Sequence, residues 1–518
     1  MYVAREMVAS VSDDRGDWGP LLNDLEARQR AAREMGGAER IGKQHAKGKL
    51  TARERVERLF DPGTFVELGA LVGTSPRPGV DTIPADGFVA GLGRVDGRPV
   101  LAGCEDFTVL GGSIGAAATD KRVRMCQLAR QERIPLIFML DGAGHRLTNR
   151  HSGRKPNDLQ TLAALSGLVP IVTLVLGPAA GHSALCGPLA DFSVMTDDAS
   201  MFTAGPPLVK AATGENVTKE ALGGPQIHVD LSGVAHNVVT DDDDALALCR
   251  SYLSYFPPNA WTAPPRAAAD APDTGNRRLD DLLTLIPADD RKPYSMRAVV
   301  DRLVDAGSGL EIQPRYGRSI VTTLARLGGR SVAIVANDPG VRAGAIDTDA
   351  AEKAAHFLDV ADCFHLPVVF LADNPGVLAG TKAEREGALR AAARMFAAQH
   401  RLTVPKLHVT LRKAFGFGSS VMAMNPYDDQ TILYAFPGVT LGAMPAESGG
   451  ASAKLDDATQ AEVTATQTGG PWPQAHGMGY DDVIDPRDLR DALLRALVLL
   501  EARDHREYAP VARRGILP

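Results

Sequence analysis

The sequence predicts an α/β fold of parallel sheets and crossover helices, made from two copies of one domain. Three observations carry this: an internal repeat, short apolar runs alternating with helical stretches, and small residues where those runs end. "RVDGRPV" at 94–100 returns as "RLGGRSV" at 326–332, an offset of 232 residues. At that offset Gly112 falls on Gly344, Lys121 on Lys353, Pro135 on Pro367 and Asp141 on Asp373. After a three-residue insertion, "VPIVTLVLGPAAG" (169–181) aligns with "VPKLHVTLRKAFG" (404–416) at an offset of 235. Self-similarity held over this length marks a duplicated structural unit.

In chain order, residues 1–60 stand outside the repeat as a helical arm. "LLNDLEARQRAAREMGGAERIGKQHAKGKLTARERVERLF" is broken at Gly36-Gly37 and basic over residues 28–58. It reads either as a solvated helical face or as an arm offering Lys and Arg to a phosphate-bearing ligand or a neighbouring subunit. The copies follow at 61–260 and 275–518. In the first, "RPVLAGCEDF", "PLIFMLDGAG" and "PIVTLVLGPA" are continuous and rich in β-branched residues, as strands buried on both faces should be. Between the first two lies "ATDKRVRMCQLARQE", apolar at helical spacing. Strand–helix–strand alternation implies parallel strands joined by crossovers. "TDDDDAL" (240–246) lacks the glycine and terminal Glu of a calcium loop and reads as acidic residues opening a helix. "NAWTAPPRAAADAPDTGN" (259–276), rich in Pro and Ala, reads as the inter-domain linker.

Composition narrows the function classes. The 518 residues suggest more than one core, and 44% hydrophobic with 23% charged residues is ordinary for a globular protein. A net charge of −7 argues against a general nucleic-acid binder, though not against an anionic small molecule. Five scattered cysteines without a C-x-x-C pair suit a reducing cytoplasm and argue against a zinc ribbon. No stretch reads as a secretory signal or a membrane span, and no metal site is expected. The expectation is a cytoplasmic, multidomain protein.

Chemistry concentrates where the strands end. "DGAGHR" (141–146) is mirrored by "DNPGVL" (373–378), and "GPAAGHSA" (177–184) by "RKAFGFGSS" (412–420). Glycines at the carboxyl ends of parallel strands let backbone approach a ligand, and helix starts there present N–H groups. Such donors build an oxyanion hole worth roughly 3 kcal/mol each. Two copies would give two holes, which suits group transfer between two substrates; the alternative is that these are tight turns and nothing more. A hydrolase reading of Ser183 is less attractive. The G-x-S-x-G elbow is absent, with His182 before the serine and Leu185 where the second glycine belongs. His182 and Ser183, being adjacent on an extended chain, point to opposite faces. Cys186 reads as a packed thiol. Phosphate-loop and dinucleotide fingerprints are missing.

Longer motifs carry a family resemblance. "QHAKGKLTARERVERLFDPGTFVELG" (44–69), "EDFTVLGGSIG" (105–115), "TGENVTKEALGG" (213–224), "GVAHNV" (233–238) and "DDDDALAL" (241–248) resemble the N-terminal half of acyl-CoA carboxylase β subunits. "RYGRSIVTTLARLGGRSVAIVAN" (315–337), "DTDAAEKAAHFLDVADCFHLPVVFLADNPGVLAG" (347–380) and "DDVIDPRDLRDAL" (481–493) resemble their C-terminal half. The resemblance covers about residues 40–518. It implies two crotonase-like domains, the first binding an acyl-CoA and the second binding carboxybiotin. Biotin would ride on a partner α subunit that also contains the biotin carboxylase, and the sites would meet across dimers within a homo-hexamer. "VMAMNP" (421–426) lacks the lysine of a biotinylation motif, so the biotin is expected on that partner.

Residue by residue, the family's first hole, a Gly-Gly, falls on Gly181 and His182. The second, a Gly-Ala after the matching Gly416, falls on Phe417 and Gly418. The Gly-Gly after the second strand falls on Ala143-Gly144, with Gly376 its counterpart in the other repeat. The position that tunes acyl-chain length falls on Ser420. His182 and Phe417 depart from the pattern. A decarboxylase subunit or a non-catalytic assembly subunit are the rival expectations.

Overall fold

The computed structural model describes residues 16–73, 83–147, 156–267, 273–500, 507–512 and 515–518. Two sheets carry it. The first holds β1 (Val66–Glu67), β2 (Phe88–Val95), β3 (Arg98–Glu105), β4 (Leu136–Gly142), β5 (Ile171–Ala180), β6 (Phe192–Thr196), β7 (Ser200–Phe202) and β8 (Asn237–Val239). Their order is β1-β2-β3-β4-β5-β6-β8, with β7 paired to the end of β5. The second holds β9 (Leu310–Ile312), β10 (Ile320–Leu327), β11 (Arg330–Asn337), β12 (Val368–Asn374), β13 (Lys406–Phe415), β14 (Ile432–Ala435), β15 (Thr440–Gly442) and β16 (Asp482–Val483). It has the same order, with β15 on β13.

The repeat anchors prove to be contacts. Pro135 and Pro367 each offer a carbonyl that accepts from the neighbouring strand, from Leu101 and Ala333 at 2.9 Å. Gly112 and Gly344 take φ of +63° and +82°, and a Cβ on either would lie 2.2 Å from the carbonyl of Asp141 or Asp373. Only glycine satisfies both demands.

The sheets are parallel from β3 to β8 and from β11 to β16, as expected, but each begins with two antiparallel pairings, β1-β2-β3 and β9-β10-β11, of which β2-β3 and β10-β11 are hairpins. Asp96-Gly97 and Gly328-Gly329 form these hairpins with φ of +49°, +77°, +61° and +73°. Two-residue turns with both φ positive match the twist of the strands they join, which favours Asp-Gly and Gly-Gly.

The arm folds as α1 (Gly19–Arg33), α2 (Ala38–His45) and α3 (Ala52–Leu59). Thr51 and Glu54 cap α3 reciprocally, Thr51 N donating to Glu54 Oε2 at 2.7 Å and Glu54 N to Thr51 Oγ1 at 3.3 Å. α3 is no solvated face. Its Arg55 is fully buried and donates to Asp141 and Asp242, both at 2.9 Å. Asp242 lies in the first turn of the helix Asp242–Tyr255, where Asp241 caps Asp244 N at 3.0 Å. The acidic run opens a helix and receives the arm.

Residues 259–267 are docked rather than loose. Asn259 donates to Arg133 O at 2.8 Å, Ala260 N to Leu168 O at 3.0 Å, and Ala267 N to Gly329 O at 2.7 Å. One apolar cluster runs through both repeats, with Phe256 edge-on to Phe364 at 5.6 Å. All five cysteines are buried and unpaired. Among the described residues no helix is long and apolar enough to cross a membrane.

Candidate active site

Each long central strand ends in a glycine turn that starts a short helix. After β5, Gly181 takes φ +58° and His182 returns to φ −56°. After β13, Gly416 takes φ +56°, and Phe417 lies in the helix Gly416–Val421. The strained position is the first of each pair. Neither His182 nor Phe417 needs the conformational freedom of glycine, so both departures from the family pattern leave the backbone path intact.

The donors differ from expectation in one respect. Gly181 N donates to Phe202 O at 2.9 Å and Gly376 N to Asn374 Oδ1 at 3.0 Å. Ala143 N likewise donates to Gly111 O at 3.0 Å. These N–H groups are spent on holding the turns, which corrects the assignment of Gly181 as an oxyanion donor. The N–H groups of His182, Gly144, Phe417 and Gly418 have no acceptor among the described residues. Gly144, at φ +80°, packs against the end of β5, where a Cβ would lie 2.6 Å from Ala180 O. That contact brings the loop after β4 beside the turn at His182. Gly418 is held close in the same way: a Cβ there would lie 2.7 Å from Asn374 Oδ1 and from Gly376 Cα. Ser420 is half-buried on the same short helix.

Beneath the first turn lies a buried ionic network that sequence reasoning missed. Ser183 Oγ donates to Glu105 Oε1 at 2.6 Å, and Asp141 N donates to Glu105 Oε2 at 3.0 Å. Arg122, wholly buried, reaches Asp158 at 2.6 Å, Glu105 at 3.3 Å and Cys186 Sγ at 3.0 Å. His182 Nε2 stands 2.6 Å from Asp158 Oδ1, and its ring lies 4.4 Å from that of His145. Burial raises the Glu105 carboxyl above its ordinary range, against the pull of Arg122. Burial acts on Asp158 too, but the hydrogen bond with His182 and the charge of Arg122 outweigh it and hold that carboxyl low. Ser183 is therefore a buried donor to a carboxylate and, among the described residues, lacks the histidine base that would activate a nucleophile. Glu105, Arg122 and Asp158 are far apart in sequence and no spacing rule connects them.

At the second strand end an amide replaces the carboxylate of Glu105. Asn337 stands where Glu105 does and accepts from Asp373 N at 3.2 Å. Phe417, exposed over 55% of its surface, lies beside the free donors. Next to the first strand end, a groove of about 300 Å³ is lined by Arg40, Lys43, Lys47, Phe107, Leu110 and Gly111. It places the basic face of α2 against the loop whose Gly111 carbonyl holds Ala143.

The model of the carboxyl transferase domain matches residues 43–515. The chain belongs to the carboxyl transferase family. Within that family it is 37% identical over 509 residues to the methylmalonyl-CoA carboxyltransferase 12S subunit of Propionibacterium freudenreichii subsp. shermanii, covering 95% of this chain and 96% of the relative. It is 42% identical over 413 residues to the biotin-dependent acetyl-/propionyl-coenzyme A carboxylase beta5 subunit of Mycobacterium tuberculosis (strain CDC 1551 / Oshkosh), covering 77% of this chain and 75% of the relative. A crystal structure of transcarboxylase 12S, a hexamer assembly with methylmalonyl-coenzyme A and methylmalonic acid bound, superposes with a TM-score of 0.88 at 36% identity, covering 96% of this chain and 99% of the other. The crotonase-like pair expected from the sequence is the carboxyl transferase arrangement seen here.

Proposed function

We propose that this chain is the carboxyltransferase subunit of a biotin-dependent acyl-CoA carboxylase, moving CO2 from carboxybiotin to the α-carbon of an acyl-CoA. The observation that carries the reading is the duplicated turn, a left-handed glycine followed by an N–H that has no acceptor among the described residues, at both strand ends. At the first, His182 and Gly144 offer their N–H groups to the thioester oxygen as it becomes an enolate. The basic groove of α2 suits the phosphates of coenzyme A, which supports the ligand-binding reading of the arm for that helix.

At the second, the free N–H groups of Phe417 and Gly418 would hold the ureido oxygen, and the exposed ring of Phe417 offers an apolar face to the bicyclic group. Bound there, carboxybiotin supplies the CO2 and the nitrogen that accepts the α-proton. The protein's own work is orientation and stabilisation of two anions. Ser420, Gly376 and Gly416 shape that half of the site.

The biotin belongs on a partner α subunit with biotin carboxylase activity, and the chain assembles as a dimer-based homo-hexamer, in keeping with its similarity to transcarboxylase 12S. Five buried, unpaired cysteines favour a reducing cytoplasm.

The test is reconstitution with a biotin carboxylase and a biotinylated carrier, following bicarbonate incorporation into a panel of acyl-CoAs. Carboxylation of at least one thioester is expected. His182→Pro removes one donor at a φ that proline accepts and is expected to cost on the order of 100-fold in rate. Failure with every thioester beside an intact complex would mark an assembly subunit. Decarboxylation without forward transfer would mark a decarboxylase.

A further inference from the structure

The transfer described above uses the backbone of His182 and leaves its imidazole without a task. We propose that this imidazole is a general base at the acyl-thioester site, oriented by Asp158, so that the chain exchanges the α-proton of its acyl-CoA without biotin. The inference rests on the acyl-CoA reading of the first strand end.

The geometry is that of an oriented base. His182 Nε2 lies 2.6 Å from Asp158 Oδ1, and the second oxygen of Asp158 accepts from Arg122 Nε at 2.6 Å. Both Asp158 and Arg122 are buried, with side chains 2% and 0% exposed. A carboxylate locked this way is a permanent acceptor, so Nε2 keeps its proton and Nδ1 carries the lone pair. Nδ1 has no hydrogen-bond partner among the described residues, and the side chain is 13% exposed. His145, 4.4 Å away, packs against the ring and limits its rotation. Among the described residues, His145, Asp158 and Arg122 face the imidazole and its carboxylate, with Glu105 and Cys186 behind Arg122. Ser183 is excluded from the pair by its bond to Glu105. A base within reach of a proton and fixed by a third group is the general arrangement for proton abstraction.

The step balances without a co-reactant. The α C–H bond breaks, an N–H bond forms at Nδ1, and the electron pair moves onto the thioester oxygen as an enolate, against the N–H groups of His182 and Gly144. Reversal returns a proton that has exchanged with solvent. His182 is the catalytic residue and Asp158 a positioning residue.

The experiment uses the full chain alone with propionyl-CoA in D2O. α-Deuterium is read by NMR, free coenzyme A by chromatography and thioester binding by calorimetry. Exchange above the protein-free blank is expected. His182→Gly, which installs the glycine of the family pattern, should bind the thioester and lose about 100-fold or more of the exchange rate. Added imidazole should restore part of the loss, which no structural role would produce. Asp158→Asn should slow exchange while thioester binding is kept, and Asp158→Glu, which keeps the carboxylate, should recover part of the rate. Binding without exchange, exchange unchanged in His182→Gly, or release of free coenzyme A in place of deuterium would each overturn the proposal. Absence of thioester binding would overturn the acyl-CoA reading itself and this inference with it.

Discussion

The two strand ends share a backbone and differ in how they handle charge. In each repeat an Asp closes the second parallel strand, its N–H bonded to the side chain at the end of the first. Asp141 is neutralised from outside the sheet by Arg55 of α3, because Gly177 leaves no side chain beside it; a Cβ there would lie 2.1 Å from Asp141 Oδ1. Asp373 is neutralised by the strand itself, through Arg412 at 2.8 Å and Lys413 at 3.0 Å, with Tyr294 donating at 2.9 Å. Arg412 occupies the position of Gly177. The first half therefore depends on its N-terminal arm and carries the Glu105–Arg122–Asp158 network under its turn, while the second is self-contained and has Asn337 in place of Glu105. One fold tolerates both because a buried carboxylate needs a cation but does not specify which segment brings it.

The comparison can be broken most severely at Arg55. Arg55→Leu strands two buried carboxylates and is expected to cost about 3–5 kcal/mol in denaturant unfolding. Arg412→Leu should cost clearly less, since Lys413 and Tyr294 remain on Asp373. Equal losses would show that the two halves do not differ as described.

Gly418→Ala probes the second site through shape. Its Cβ meets Asn374 and Gly376 at 2.7 Å, so the donors must shift, and carboxyl transfer in the reconstituted complex should fall on the order of 100-fold. The buried lysines sharpen the symmetry. Lys353 donates to the carbonyl of Tyr316 at 2.8 Å and Lys121 to that of Phe88. Burial depresses them to about 7 and about 8. The unfolded chain then holds more protons than the folded one above those values. Stability contributed by these sites rises with pH from about 7 or 8 toward about 10.4. Lys353→Met and Lys121→Met should each flatten that slope in melting curves taken across the window, Lys353→Met over the wider range. Ser183→Ala is the mildest change. Glu105 keeps Arg122 and Asp141 N–H, so about 1 kcal/mol of stability and little activity should be lost. Abolished turnover with the fold intact would revive the nucleophile.

Much of this was legible in the chain. Gly112 and Gly344 recur because each faces the same carbonyl at positive φ, and such constraints survive divergence. The hairpins are legible as Asp-Gly and Gly-Gly, and the cap of α3 as Thr-x-x-Glu. The site was half legible. Gly181 was found as the special residue of its turn and misassigned as a donor, since a sequence does not show that Phe202 takes its N–H. Asp158 and Arg122 were invisible as partners of His182, lying 24 and 60 positions away with no periodicity to link them.

By itself the sequence determined the duplication, the alternation of strand and helix, and the glycine turns at the strand ends. Those features depend on local sterics and on burial patterns repeated along the chain. Tertiary structure alone decided which N–H groups stay unpaired, which cation answers each buried aspartate, and that His182 stands over a fixed carboxylate. Hydrogen bonds and ion pairs of that kind join segments distant in the chain, and only packing selects the partners.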